Sequence, residues 1–263
     1  MSRHLRCLCL LLVTACAAAP LRRTSTQTLD TALGRFELSV EDDGTSPLEQ
    51  VELPQALERA SLAVTRWGTL NEPVALIVVP THAALERAIK HPGYPELRAW
   101  STYGRILLQA PRTWTWNRPD LAQLQLEELL RHELTHCVMF QQSSGSGHWK
   151  SKRIAYWFRE GMASYTANQG YFRMSLGELR DFYRDHPGVK LLQTPERYDA
   201  AHHREVYSAS HRAFLTLVDS RGEEAVRHIL ARMREGADFD AAFLSVIGET
   251  SAAFADHFEE ALL

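Results

Sequence analysis

The chain has 263 residues, of which 45% are hydrophobic and 23% charged, with a formal net charge of -3. These are ordinary globular values, enough for one sizeable core or two small domains. No basic block stands out, which argues against nucleic acid as the main partner.

The N-terminus reads MSRHLRCLCLLLVTACAAAP. Arg3 and Arg6 precede an apolar run, Leu8 to Val13, that is too short to span a bilayer as a helix. Basic start, short apolar stretch and small residues at the exit make a secretory signal over residues 1–15. Val13-Thr14-Ala15-Cys16 resembles a bacterial lipobox, which implies lipidation of Cys16. Cleavage after Ala19 would instead release a soluble secreted or periplasmic protein, and a buried N-terminal helix is a third reading. The favoured expectation is a protein held at the bacterial cell envelope by an N-terminal lipid, its sole membrane attachment. Ala17 after Cys16, with no aspartate there, points to the outer membrane. The four cysteines are Cys7, Cys9, Cys16 and Cys137. After processing and lipidation only Cys137 keeps a free thiol, so no intrachain disulfide is expected.

Residues 16–33 are small and polar and predict a tether. Phe36, Leu38 and Val40 alternate with polar neighbours as a strand would, ended by Asp42-Asp43-Gly44. Leu53 to Trp67 carries apolar residues at helical spacing, with Pro54 near its start. Val74 to Val79 is a short buried strand between Pro73 and Pro80. Thr81 caps a helix to about Lys90. His91 to Pro95 is a loop, Trp100 to Ala110 one strand, and Pro111 to Pro119 an irregular aromatic stretch. From Asp120, an N-cap candidate, the pattern turns helical: 120–141, 154–169, 175–185, 205–220, 222–235, 238–247 and 250–262. The expected class is α+β, with a strand-rich N-terminal subdomain at 34–118 and a helical catalytic subdomain at 119–263.

Within the first of these helices lies His132-Glu133-Leu134-Thr135-His136. On a helix, positions i and i+4 lie about 40° apart, so His132 and His136 share a face and can chelate one ion. Glu133 is about 100° from His132 and suits a general base acting on water beside that ion. A pair of surface histidines on a solvated helix is the alternative. Catalytic zinc takes three protein ligands and leaves a position open. Glu160 lies 24 positions after His136, in the apolar stretch YWFREGMASY. A carboxylate on a buried face is rare unless paired or metal-bound. A salt bridge to Arg131 or Arg153 would also account for it. Gly161 and Ala163 would let two helices approach closely.

HELTH followed by W-F-R-E-G-M-A-S-Y at 157–165 resembles the gluzincin metallopeptidases, most closely the bacterial "peptidase MA-like" group, whose pattern is HELTH then W-x-x-E-G-x-A. RILLQAP at 105–111 and Val206-Tyr207-Ser208-Ala209-Ser210 extend the likeness over about residues 50–262. The resemblance implies a zincin-like fold, one Zn2+ ion bound by His132, His136 and Glu160, Glu133 as base, and a peptide or protein substrate. It leaves open an endopeptidase or an aminopeptidase-like enzyme. Many thermolysin-like gluzincins carry an acid four residues after the glutamate ligand, where this chain has Ser164; Asn168, Glu128 or a backbone carbonyl would then have to support a histidine. Zinc peptidases often add a Tyr, His or Arg donor for the oxyanion. Tyr207 is the first candidate, with His211 one turn later, and core packing is the alternative for Tyr207. Cys137 is expected to be a small buried residue. His202-His203 is expected to be a polar loop. A non-catalytic envelope lipoprotein of the same fold, binding metal or a partner, is the competing function.

Overall fold

The computed structural model describes residues 23–42, 48–90, 93, 95–114 and 122–263. The signal segment, Cys16, Asp120, the Asp43-Gly44 turn and much of the 91–95 and 111–119 loops lie outside the described residues. Five strands come first: β1 Arg23–Asp30, β2 Arg35–Asp42, β3 Val74–Val79, β4 Ala99–Thr102 and β5 Arg105–Gln109. Helices α1 Leu53–Val64 and α2 His82–Ile89 are interleaved with them. Six helices follow: α3 Ala122–Ser143, α4 Tyr156–Thr166, α5 Leu176–Asp185, α6 Asp199–Arg234, α7 Phe239–Ile247 and α8 Ser251–Glu260. This is the expected α+β class. No described helix is long and apolar enough to cross a membrane.

The sheet order is β1-β2-β3-β5-β4. The three central strands run parallel, with antiparallel partners at both edges. Leu38, Val40, Leu76, Val78, Ile106 and Leu108 face the main core, where they meet α1 and α3. Val79 and Leu107 face the other side, against Leu85 and Ala84 of α2. A strand covered on both faces carries an unbroken apolar run, which is why VALIVV lacks alternation. Thr81 caps α2 as its sequence implies, its side chain accepting from the Ala84 amide.

Two expectations need correction. Residues 23–30, within the expected tether, form β1 and pair with β2 along their full length. The strand sits at a sheet edge with most side chains in solvent, so burial imposes no apolar alternation on it; its threonines still suit a pleated backbone. The expected single strand at 100–110 is a hairpin that turns at Tyr103-Gly104, with Thr102 opposite Arg105. The hairpin matters for the site, because it makes β4 the free edge that lies along α3.

The helical predictions hold with small shifts. The chain breaks between the two helices expected at 205–220 and 222–235, where Gly222 has φ 77°, a left-handed value suited to glycine. Gln141 anchors α3 to the sheet. Its Oε1 accepts from the Asn71 and Glu72 amides at 2.7 and 2.9 Å, and its Nε2 donates to the Tyr103 and Glu72 carbonyls at 3.0 and 3.2 Å. All four bonds are made by a fully buried amide, so the end of the helix is fixed in register against β3 and the hairpin.

Candidate metal centre

The middle of α3 is buried on all sides. Leu134, Cys137, Val138 and Met139 are fully buried, and so is Thr135, whose hydroxyl donates to the Arg131 carbonyl. Such a helix is buried by its neighbours rather than along one stripe, and its polar groups must find partners inside the protein. His132, Glu133 and His136 are each less than a tenth exposed. Cys137 donates to the Thr102 carbonyl at 3.3 Å, and burial pushes its thiol well up, with the Glu133 charge adding to the effect. It is the small buried residue expected, in a poor setting for a nucleophile.

Helix α4 delivers Glu160. Gly161 makes this approach feasible: a Cβ there would lie 2.4 Å from the Ser210 carbonyl oxygen and 2.5 Å from Phe214 Cβ, so α4 and α6 touch through backbone. The close helix packing expected from Gly161 is therefore realised against α6. Trp157 and Phe158, flanking the ligand turn, are buried in an aromatic cluster with Phe214, Phe239, Phe243 and Phe254. That cluster is core, the commoner role for aromatic residues.

Glu160 Oε2 lies 3.4 Å from His132 Nε2 and 3.6 Å from His136 Nε2. Donor atoms of the three residues all fall within 4.8 Å of one another, and among the described residues no other group of histidine, cysteine and carboxylate side chains does this. Two imidazole nitrogens and one carboxylate oxygen match the donor set of a catalytic zinc site. His136 Nδ1 is buried with no hydrogen-bond partner, so on that side the ring is held by packing, with Phe140 stacked at 6.2 Å. The residues present fit a zinc ion.

The cation beside Glu160 is neither Arg131 nor Arg153. Arg131 pairs with Glu127 one turn away, while Arg159 donates to Glu160 Oε1 at 3.1 Å. Burial by itself would raise the Glu160 carboxyl. The His136 charge, hydrogen bonds from both histidines and the charge of Arg159 outweigh it, and Glu160 sits well below the usual carboxylate range. Its second oxygen is thereby kept ionised and turned to the histidines.

Glu133 points elsewhere, toward the sheet edge. Ser101 of β4 donates to Glu133 Oε2 at 2.5 Å. The base candidate is thus separate from the three-residue cluster and is held by a neighbour on the hairpin.

The support of His132 differs from all three suggestions made by the sequence. Neither Asn168, Glu128 nor a backbone carbonyl serves. Gln169 Oε1 lies 3.2 Å from His132 Nδ1, reaching it from a short turn, Gln169–Phe172, that follows α4. Asn168 adopts φ 55° and turns the chain back at this point. Ser164, where an acid was expected, pairs with His211 Nδ1 at 3.0 Å and accepts from Arg173 Nε at 3.3 Å. His211 is consequently part of the wall, its Nε2 against Gly170. Burial, then the charges of Arg212 and Arg173, lower its pKa to about 4.

Tyr207 of α6 is joined to the site through Arg173. Its ring stands 5.9 Å from Tyr156, 4.3 Å from His203, and has Arg173 above it at 5.2 Å. It is half-buried, as a cleft residue would be, rather than sealed in the core. His202 sits at a kink near the start of α6, with non-helical φ -133° and ψ 41°, and His203 follows it into the helix. Sequence reasoning passed over Ser101, Arg159, Gln169 and Arg173. Arg159 is the sequence neighbour of Glu160 and bonds it locally, whereas Ser101, Gln169 and Arg173 reach the site only through the way the chain folds back, which no spacing rule singles out.

Solved structures similar to this chain include an M1 zinc metallopeptidase from Deinococcus radiodurans, with 18% identity, 91% of this chain covered and a TM-score of 0.47. A two-domain M1 zinc metallopeptidase mutant bound to L-arginine gives the same values. An aminopeptidase N family protein from Idiomarina loihiensis shows 10% identity over 90% of this chain, with a TM-score of 0.43. The chain spans 51% of each of the first two structures and 41% of the third. No family model and no curated protein matches the sequence.

Proposed function

We propose that this protein is a zinc-dependent peptidase of the gluzincin kind. The observation that carries the reading is the convergence of His132, His136 and Glu160 donors within 4.8 Å, with Glu133 adjacent and directed elsewhere. A site built only to bind structural zinc commonly closes the ion with four ligands. Here three ligands converge, and a carboxylate suited to proton transfer stands beside them.

His132, His136 and Glu160 would hold the ion, which when bound supplies Lewis-acid polarisation of the scissile carbonyl. Glu133 takes a proton from the attacking water and delivers it to the leaving amine. The Ser101 hydroxyl holds one oxygen of Glu133, so the other is left for the proton. Tyr207 donates a hydrogen bond to the oxygen that gains charge as the carbonyl is attacked. Substrates are peptides or proteins. The polypeptide is anchored at the bacterial envelope through lipid on Cys16. The intact mass of the mature protein from a membrane fraction tests that point: a lipid-modified Cys16 as first residue is expected, and an unmodified chain beginning at Pro20 would contradict it.

The test of the activity is peptide-library cleavage by purified protein, with a chelator control, together with zinc content of wild type and Glu160→Ala. One zinc per chain, lost in Glu160→Ala, and chelator-sensitive cleavage are expected. Zinc bound in full with no cleavage of any peptide would overturn the peptidase reading.

A further inference from the structure

The wall of the metal centre contains a cation that the chemistry above does not use. Arg173 follows the Gln169–Phe172 turn and contacts both α4 and α6. Its Nε donates to Ser164 Oγ and its Nη2 to Gln169 Oε1, each at 3.3 Å. Its guanidinium carbon lies 4.6 Å from the Phe172 ring centroid and 5.2 Å from that of Tyr207. Both hydrogen bonds are at the long end of the range, and both go to neutral oxygens.

Among the described residues, no carboxylate lies within ion-pairing distance of Arg173. Three other arginines have carboxylate partners: Arg59 and Arg131 share Glu127, and Arg159 holds Glu160, while Arg212 donates to the Met174 carbonyl. Glu160 is close enough to act on Arg173 electrostatically, yet its oxygens are engaged, one by the histidines and one by Arg159. Burial pushes the Arg173 guanidinium down from its ordinary value, and the Tyr207, Glu160 and Tyr156 side chains act against it. A desolvated cation with neutral partners lacks the anion that normally offsets its burial. Arg173 is still partly exposed, so an anion arriving from solvent can reach it. The planar guanidinium is the side chain best shaped to take a carboxylate through two parallel bonds.

We propose that Arg173 is the anion-recognising residue of this site and takes a carboxylate that the substrate carries close to the scissile bond. The placement follows from its neighbours: Arg173 and the His132 ring contact the same Gln169 Oε1, at 3.3 and 3.2 Å, and its guanidinium lies against Tyr207. This inference rests on the peptidase reading, and it adds a substrate class: peptides with a free C-terminal carboxylate or an acidic side chain next to the cleaved bond.

The probes are N-acetyl-phenylalanine and its C-terminal amide, titrated calorimetrically into zinc-loaded protein. A charge-assisted bond to carboxylate predicts that wild type prefers the acid by about 10- to 100-fold. Arg173→Met should bring that ratio to within about 3-fold, and Arg173→Lys, a point charge without the fork, should fall between. Zinc content of each variant is measured alongside. An unchanged ratio in Arg173→Met means the metal alone holds the carboxylate and overturns the proposal. So does equal weakening of both probes, which is what a purely structural role produces. Should Arg173→Met lose zinc or fail to fold, Arg173→Lys decides by itself: a wild-type ratio overturns the proposal, a reduced one supports it. Matched peptides then separate the sources, one pair differing at the C-terminus as acid or amide, another differing as Asp or Asn beside the cleaved bond. Because binding is read directly, failure of the peptidase reading would show separately, as zinc-loaded wild type that binds the acid but cleaves nothing.

Discussion

Replacing Gly161 by alanine is a sharp test of the packing that brings Glu160 to the histidines. Two effects of opposite sign compete. Helix propensity favours alanine over glycine by roughly 1 kcal/mol in a helix interior. Against this, the new Cβ would lie 2.4 Å from the Ser210 carbonyl oxygen and 2.5 Å from Phe214 Cβ. Carbon contacts are comfortable only beyond about 3.5 Å, so α4 and α6 would have to part by up to about 1 Å. Neither obstacle is the far end of a flexible side chain, and Phe214 is fully buried. Overpacking of this kind costs typically about 1–3 kcal/mol and occasionally more, so the clash outweighs propensity. With about 2–4 °C of Tm per kcal/mol for a chain near this size, a fall of several degrees is expected. Thermal unfolding of the metal-free protein reads this directly, and zinc titration should show weaker binding because Glu160 is the preceding residue. A Tm equal to or above wild type would mean that the helices are not in backbone contact at Gly161.

Gln169→Ala should weaken zinc binding by about 10- to 100-fold, the usual effect of removing a partner that orients a ligand histidine, and Gln169→Glu should restore it; competition against a chromophoric chelator measures both, and wild-type affinity in Gln169→Ala would contradict the assigned support. Ser101→Ala should lower kcat while leaving zinc content unchanged, because its hydroxyl touches Glu133 and none of the ligands. Gln141→Ala leaves the Asn71 and Glu72 amides and two carbonyls without their buried partner, so a loss of about 2–4 kcal/mol is expected in urea unfolding. For His211 the folded pKa, about 4, is below the ordinary 6.5. The unfolded chain therefore binds the extra proton first, so stability present above pH 6.5 is lost as pH falls toward 4. At about 1.4 kcal/mol per pH unit, that window is worth roughly 3 kcal/mol. The difference in unfolding free energy between wild type and His211→Gln, followed across this window, should carry the slope; a flat difference would contradict it.

The parts of the site that could be read in the sequence are those governed by local geometry. His132 and His136 share a helical face because of the i, i+4 repeat, and Glu160 stood out as a carboxylate in an apolar aromatic helix. Gly161 likewise announced a close helix contact. The parts that could not be read depend on how the chain returns. Gln169 reaches His132 only because the backbone turns at Asn168, and Ser101 meets Glu133 only because the Tyr103-Gly104 turn converts one expected strand into a hairpin. The same distinction holds for the fold. The buried strand Val74–Val79 and the half-buried helix α7 carried their patterns openly. β1, an edge strand with most side chains in solvent, carried no apolar alternation and looked like a linker.

The central claim is that three residues hold one zinc ion while Glu133 acts separately as the base. Glu133→Gln keeps the shape and the Ser101 contact of the side chain but cannot accept the proton. Zinc analysis and peptide cleavage on this one variant measure both halves of the claim. Full zinc occupancy with cleavage reduced by at least about 100-fold is the expected result. Cleavage at the wild-type rate, with zinc retained, would contradict the account.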